Sequence, residues 1–243
     1  MRLDRFLSNQ TPLSRKALRI QLATGQVLVN GKIIRDGQFE IDDFCTIQLA
    51  GQLLPSKPAM YFMLNKPIGH VSATTDPQHP TVNQLFPPSL ASQLHYAGRL
   101  DRNTSGLMLM TNDGTWSRIL TEPNKKIAKK YWVETANPIC QQTHQLFADG
   151  VHLMPEDITT SPAQLEQISA NQAWLTIYEG RYHQIKRMFG KMNNPVIKLH
   201  RHSLGNIQLD SLLAASAYRA LTLNEILDSL PEQQKALYTQ LRS

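Results

Sequence analysis

The sequence of 243 residues is short of cysteine and contains no long apolar run. Cys45 and Cys140 are its only cysteines, and they lie far apart without CxxC spacing, which predicts neither a disulfide framework nor a zinc site. No apolar stretch approaches the roughly 20 residues that cross a membrane, and residues 1–5 show no apolar signal region. We therefore expect a cytoplasmic protein without a membrane partner.

Acidic residues are outnumbered by basic ones. The chain has 25 Lys and Arg against 19 Asp and Glu, a net charge of +6, and its hydrophobic fraction of 41% is ordinary for a globular protein. A surplus of this size is compatible with a nucleic-acid partner but does not establish one. The length allows either one ordinary core or one catalytic domain with a small additional module.

The most informative stretch is residues 98–110, GRLDRNTSGLMLM, in which a carboxylate lies between two arginines ahead of an apolar strand. Loops held by a rigid strand often carry functional residues, and the flanking arginines would keep Asp101 ionised. Alternatively, Asp101 is a turn residue whose side chain bonds the nearby backbone. These residues alone favour the turn, and both interpretations stay open.

The same loop resembles the catalytic loop of RNA pseudouridine synthases, in particular the branch that acts on ribosomal RNA and carries an S4-like domain in front. Three other stretches match this family in order: residues 61–67 with 75–82 (YFMLNKP and TDPQHPTV), 129–131 (KKY) and 179–189 (EGRYHQIKRMF). The resemblance implies an α+β fold with an S4-like domain over residues 1–57. It also implies a catalytic domain over residues 58–243, with a mixed, mainly antiparallel sheet in two halves and the active site in the cleft between them.

The N-terminal part predicts two short helices and a β-hairpin. Apolar residues recur at helical spacing in residues 3–7, Ser14 suits the N-cap of a second helix, and Asn30-Gly31 suits the positive φ angles of a two-residue turn. This order resembles the S4 RNA-binding module. We expect phosphate contacts from Arg15, Lys16, Arg19 and Lys32, although a solvated helix face would carry the same charges. The polar tail after Pro231 is expected to be a frayed helix.

The resemblance assigns roles to residues of the catalytic domain. Asp101 would be the nucleophile or base, Tyr131 would stack on the target uracil, and Lys186 would pair with Asp101, although many relatives have arginine in its place. Arg99 would fill the gap left by the flipped base or hold the displaced backbone, since extruding a base costs roughly a few kcal/mol. Trp132, on the opposite face of the strand from Tyr131, is expected to be a core or interface aromatic.

Other basic residues predict further RNA contacts. Lys66 is expected either to approach an RNA phosphate or to be an exposed lysine without a ligand. Residues 181–209 contain six Lys or Arg and no acid. A block this uncompensated predicts an RNA-binding surface that includes Arg181 and Arg187, with a solvated face as the alternative.

The implied reaction converts uridine to pseudouridine: the N1 glycosidic bond breaks, the ring turns, and it rejoins through C5. It needs no redox or metal step, so we expect no cofactor and no metal. The expected partner is ribosomal RNA, with one uridine of 16S rRNA (uridine 516 type) favoured by residues 75–82. Arg102-Asn103 also resembles the 23S, large-subunit enzymes. The substrate would be free RNA or a partly assembled small-subunit particle, and the protein is expected to be a monomer.

Two other functions fit parts of the sequence. A non-catalytic S4-type assembly factor that binds ribosomal RNA explains the charge but leaves Asp101 without a role. A glycosidase-like hydrolase would need two carboxylates flanking one bond. Only Asp113 lies near Asp101 in the sequence, within an Asn-Asp-Gly turn. The sequence therefore favours the synthase.

Overall fold

The computed structural model describes residues 1–235 and 238. The chain divides into two compact units: Met1–Ala59 with the described residues from Pro231 onward, and Met60–Leu230. From the sequence, we expected the residues after Leu230 in the second domain. The pattern of a terminal segment does not show which core its apolar side chains join. Of the tail predicted to be a frayed helix, residues 232–235 are helical, and 236, 237 and 239–243 lie outside the described residues. None of the described helices is long and apolar enough to cross a membrane.

The first unit has the predicted order of two helices followed by a hairpin. Its elements are α1 (Leu3–Gln10), α2 (Arg15–Ala23), β1 (Val27–Val29), β2 (Lys32–Ile33), β3 (Ile47–Leu49) and β4 (Gln52–Leu53), with the sheet order β2-β1-β3-β4. Helix α2 begins where predicted, since the Ser14 hydroxyl accepts a hydrogen bond from the Ala17 amide at 3.2 Å. Asn30 and Gly31 have φ angles of 49° and 75°, which the turn between β1 and β2 requires. Leucines from both helices pack with β1 and β3 in one apolar core.

The second unit is built on one mixed sheet. Its strands are β5 (Tyr61–Lys66), β6 (His95–Tyr96), β7 (Ser105–Thr111), β8 (Lys129–Thr135), β9 (His152–Leu153), β10 (Ile158–Thr159), β11 (Gln164–Gln167), β12 (Gln172–Ile177), β13 (Val196–Leu204), β14 (Ile207–Gln208) and β15 (Tyr218–Ala220). Its helices are α3 (Pro88–Ala91), α4 (Gly114–Thr121), α5 (Gln141–Asp149), α6 (Gln184–Gly190) and α7 (Leu223–Asp228). The strand order is β11-β12-β8-β13-β7-β5-β15, with β14 beside β13 and β6 beside β7, while β9 and β10 pair separately.

Two antiparallel halves of this sheet meet at one parallel pair, β7 and β13. The other pairings between the described strands of the sheet are antiparallel. The predicted α+β class with a mixed, mainly antiparallel sheet in two halves is therefore confirmed.

Gly106 allows the two halves to approach each other. It lies at the start of β7 opposite Arg201 of β13, and a Cβ atom there would lie 2.3 Å from the Arg201 carbonyl oxygen. Its φ of 104° also belongs to the region that favours glycine. Because the residues of β7 that follow are fully buried, the strand fixes the end of the preceding loop to the core.

Candidate active site

The loop between β6 and β7 carries Asp101. The Thr104 amide donates to the Asp101 carbonyl at 3.0 Å, so backbone groups close the turn. The Asp101 carboxylate instead faces the start of α6, where its oxygens lie 3.6 Å from His183 Nε2 and 3.7 Å from Lys186 Nζ. The structure therefore separates the two interpretations of Asp101: its side chain meets basic groups that are distant in the sequence.

The carboxylate and these two basic groups do not form a tight ion pair. Both distances exceed the roughly 2.7–3.2 Å of an ordinary hydrogen bond. The side chains of Asp101 and Lys186 are 31% and 29% exposed, so the carboxylate stays accessible. Lys186 lies where the resemblance predicts it. His183 was not predicted, although its place in the basic segment 179–189 could have drawn attention to it.

The Asp101 carboxylate borders a cavity of about 90 Å³. This is smaller than the roughly 300–1,000 Å³ of pockets for drug-sized ligands, so the cavity suits a small group. The lining includes Arg99, Leu100, Asp101, Thr104, Tyr131, Ile177, Arg181, His183, Lys186 and Leu199. Among the described lining residues, Asp101 is the only acid. Within residues 1–235 and 238, no group of three or more His, Cys, Asp or Glu side chains is arranged to hold a metal ion.

Tyr131 lines this cavity from β8 and is 7% exposed. Because consecutive residues of a strand face opposite sides, Trp132 lies on the other face, opposite Trp174 of β12. Trp132 is half-buried and lies outside the core cluster that contains Tyr131. The sequence predicted the alternation correctly and expected Trp132 to be a core or interface aromatic; the structure places it outside the core, and the interface stays a prediction. Tyr131 combines a fixed ring with access to the cavity.

Lys66 corrects an expectation, because its side chain is fully buried. Its Nζ donates to the carbonyl oxygens of Pro67, Asp101, Arg102 and Thr104, at 3.0, 3.1, 3.4 and 2.8 Å. Burial lowers its pKa to about 8, against the opposing effect of Asp101. An ammonium group surrounded in this way cannot meet an RNA phosphate, and it holds the backbone of the Asp101 loop instead.

Arg187 corrects a second expectation. Its guanidinium pairs with Glu156 and donates to the carbonyl oxygens of Met154 and Tyr182. The missing acids within residues 181–209 suggested a free arginine there, but Glu156 lies 31 residues earlier in the chain. Arg187 therefore joins two loops of the second unit rather than presenting its charge to RNA.

Arg99 and Arg181 both line the cavity, as the expected RNA contacts should. Arg99 is exposed next to Asp101. The Arg181 side chain is 41% exposed, although its Nε donates to Glu179 at 3.1 Å. Both guanidinium groups therefore lie at the cavity and are open to solvent.

A buried cation near the loop was missed from the sequence. Arg201 on β13 is 2% exposed, and its Nε donates to the Leu107 carbonyl at 2.7 Å. Its charge helps to lower the pKa of Lys66, and burial together with Arg201 lowers the pKa of Lys129 to about 8. The surroundings of the Asp101 loop are therefore strongly cationic.

The first unit presents the four predicted basic residues on its surface, since Arg15, Lys16, Arg19 and Lys32 are all exposed. Arg15 and Arg19 line a groove of about 790 Å³, whereas Lys16 and Lys32 do not belong to its described lining. Three arginines that the sequence analysis did not select also line it: Arg2, Arg5 and Arg35. Asp4 lies in the same groove and pairs with Arg2.

Comparisons with known proteins agree with this fold. Residues 60–191 match the sequence profile of a family described as RNA pseudouridylate synthase. Ribosomal small subunit pseudouridine synthase A of Pseudomonas aeruginosa is 52% identical over 227 residues, which cover 93% of this chain and 99% of that protein. The Escherichia coli K12 protein of the same name is 44% identical, covering 93% of this chain and 98% of that protein.

A solved structure shows the same fold. The crystal structure of a pseudouridylate synthase superposes with a TM-score of 0.70 at 39% sequence identity, covering 95% of this chain and all of that chain. With a profile match over more than half of the chain and relatives of this similarity over almost its full length, the chain belongs to the RNA pseudouridine synthase family and is a pseudouridine synthase.

Proposed function

We propose that this enzyme converts one uridine of small-subunit 16S ribosomal RNA, of the uridine 516 type, to pseudouridine. The relatives reported above carry the small-subunit name. The segment 75–82, whose sequence resembles the small-subunit branch, lies against the Asp101 loop, since His79 is 3.2 Å from an Arg102 guanidinium nitrogen. A uridine of 23S RNA is the alternative within the same family.

The observation that carries the proposed chemistry is one accessible carboxylate among basic groups and beside an aromatic ring. Asp101 acts as the nucleophile or base, with His183 Nε2 and Lys186 Nζ 3.6 and 3.7 Å from its carboxylate oxygens. Tyr131 stacks on the flipped uracil, a contact worth about 1–3 kcal/mol. The N1–C1′ bond breaks, the C5–C1′ bond forms, C5 loses its proton and N1 gains one, so the product is an isomer of the substrate.

The geometry gives no support to a glycosidase-like hydrolase. Such an enzyme needs a second carboxylate across the bond. Asp113 is buried and caps α4, accepting hydrogen bonds from the amides of Thr115 and Trp116 at 3.0 Å. The Tyr61 hydroxyl also donates to it at 2.7 Å. Asp113 therefore has a structural role.

RNA binding is proposed for two groups of residues. Arg99 and Arg181 would hold the nucleotide at the cavity. The exposed basic residues of the first unit, Arg15, Lys16, Arg19 and Lys32, would contact phosphates of a longer RNA in a salt-sensitive and largely sequence-independent way. The proposed partner is ribosomal RNA, free or in a partly assembled particle, bound by a monomer in the cytoplasm.

Tritium release from C5-labelled uridine tests the reaction directly. Wild-type protein and Asp101→Asn are compared on small-subunit RNA, large-subunit RNA and partly assembled small-subunit particles. We expect release by wild type from a small-subunit substrate and none by Asp101→Asn, which keeps its affinity for RNA because the substitution is isosteric. Primer stops after carbodiimide treatment then locate the modified uridine. Release near the wild-type rate by Asp101→Asn would refute its role, and release from large-subunit RNA alone would refute the proposed target.

A further inference from the structure

Tyr182 is an exposed aromatic residue that the proposed chemistry does not use. Its ring stacks on the ring of His183, with centroids 3.9 Å apart and planes 18° from parallel. Although His183 covers one face, Tyr182 is 72% exposed. The other face of the tyrosine ring is therefore open to solvent.

The backbone that presents this ring is held in place by a side chain of the following helix. Arg187 donates to the Tyr182 carbonyl at 3.1 Å while it pairs with Glu156. His183 has a φ of 48°, a left-handed conformation that is uncommon outside glycine and that the surrounding structure must maintain. Stacking on a ring that is already fixed costs little conformational entropy when a ligand binds.

The position of Tyr182 relates it to the active site. His183 lines the cavity, and its Nε2 lies 3.6 Å from the Asp101 carboxylate. Tyr182 stacks directly on His183, so it is separated from the cavity by the His183 ring alone. A group on the open face of Tyr182 would be a near neighbour of a group held at Asp101.

We propose that the open face of Tyr182 binds a nucleobase adjacent to the target uridine in the RNA substrate. Extruding the uridine breaks its stacking with its neighbours, and an aromatic side chain can restore one of these contacts for any base. The inference rests on the proposed RNA reaction but not on which ribosomal subunit is the substrate. Tyr182 is thus a substrate-binding residue, separate from the chemistry at Asp101.

A double-mutant cycle between the protein and the RNA tests this inference. The modified uridine is first mapped with wild type on either subunit RNA, so that a large-subunit site would refute the proposed target and leave this test intact. Ribosomal RNA is then built by splinted ligation with an abasic nucleotide immediately before or after that uridine. Tritium release gives kcat and KM for wild type, Tyr182→Ala and Tyr182→Phe, with Leu212→Ala as a control because Leu212 is an apolar side chain that is 92% exposed.

On intact RNA, we expect Tyr182→Ala to raise KM roughly 5- to 140-fold, the range that base stacking on an aromatic residue gives, with kcat nearly unchanged. Tyr182→Phe keeps the ring and should match wild type, as should Leu212→Ala. With the abasic nucleotide on one side of the target, wild type and Tyr182→Ala should become equal. A KM for Tyr182→Ala equal to wild type on intact RNA would overturn the inference. An effect of the same size on intact and both abasic RNAs, or only on particles that contain ribosomal proteins, would also overturn it.

Discussion

Replacing Lys66 with methionine tests whether the Asp101 loop depends on a buried ammonium group. Lys66 Nζ donates to four carbonyl oxygens of residues 67, 101, 102 and 104 at 2.8 to 3.4 Å. Methionine has a similar length and fills the space of the alkyl chain, but it provides no donor. The substitution removes these hydrogen bonds with little change in packing.

The expected loss of stability is moderate, because two effects oppose each other. The Asp101 and Arg102 carbonyls keep donors, the amides of Thr104 and Gly69, at 3.0 and 2.8 Å. The other two carbonyls each lose a donor, at about 1–3 kcal/mol apiece. Burial has lowered the pKa of Lys66 from 10.5 to about 8, so removing the charge at pH 7 returns about 3 kcal/mol. We expect the free energy of unfolding to fall by about 3 kcal/mol or less.

Activity should fall even where the variant stays folded, since the released carbonyls belong to the loop that positions Asp101. A displacement of about 1 Å in a catalytic group can cost on the order of 100-fold in rate. We expect kcat for tritium release to fall about 100-fold, measured under conditions where circular dichroism shows that the variant is folded. Lys129→Met is the matched control, because the pKa of Lys129 is also about 8 but its Nζ donates to Ile127, outside the loop. A folded Lys66→Met variant within threefold of wild type would refute this role.

The same variant predicts a pH dependence of stability. The pKa of Lys66 is about 8 in the folded protein and ordinarily 10.5, so between these values the unfolded chain binds the proton more strongly. The free energy of unfolding therefore rises with pH over this range. The stabilisation that comes from the neutral form of Lys66 is fully present above pH 10.5 and is lost as the pH falls through about 8. Urea unfolding should show that, from pH 7 to pH 10.5, the free energy of unfolding of wild type rises by up to about 3 kcal/mol relative to that of Lys66→Met. An unchanged difference would contradict the burial of a charged lysine.

Two further predictions concern the sheet and the first unit. Gly106→Ala should lower the free energy of unfolding by at least roughly 2 kcal/mol more than Gly31→Ala, because both have positive φ but only Gly106 meets backbone, the Arg201 carbonyl at 2.3 Å. If urea unfolding showed that both variants lose the same free energy of unfolding, the close approach of Gly106 to the Arg201 backbone would have no effect on stability. Replacing Arg15 and Arg19 together with alanine should reduce the slope of log affinity for ribosomal RNA against log salt by about 1.4–1.8, with kcat at saturating RNA unchanged. An unchanged slope would remove both residues from the RNA-binding surface.

Features that depend on neighbours in the sequence were predictable from it. Ser14 caps α2 and Asn30-Gly31 forms the hairpin turn, because capping and turn geometry involve residues only a few positions apart. The placement of Asp101 in a loop ahead of a buried strand followed from the apolar run after it. The family resemblance added Tyr131 and Lys186, and the structure brings both to the same cavity as Asp101, although their roles stay predictions.

Only the tertiary structure decided which charged groups are exposed and which are held by other parts of the protein. Lys66 and Arg187 looked like surface cations, but three of the four Lys66 acceptors lie 35–38 residues away and Glu156 lies 31 residues from Arg187. A sequence pattern does not show which distant groups will surround a side chain. His183 and Arg201 were missed for the same reason. The sequence by itself determined the local turns and the order of the main elements, and its resemblance to the family selected Asp101 as the candidate catalytic acid. Whether a charge meets solvent, RNA or backbone depends on long-range packing, because burial and hydrogen bonding arise only when distant segments come together.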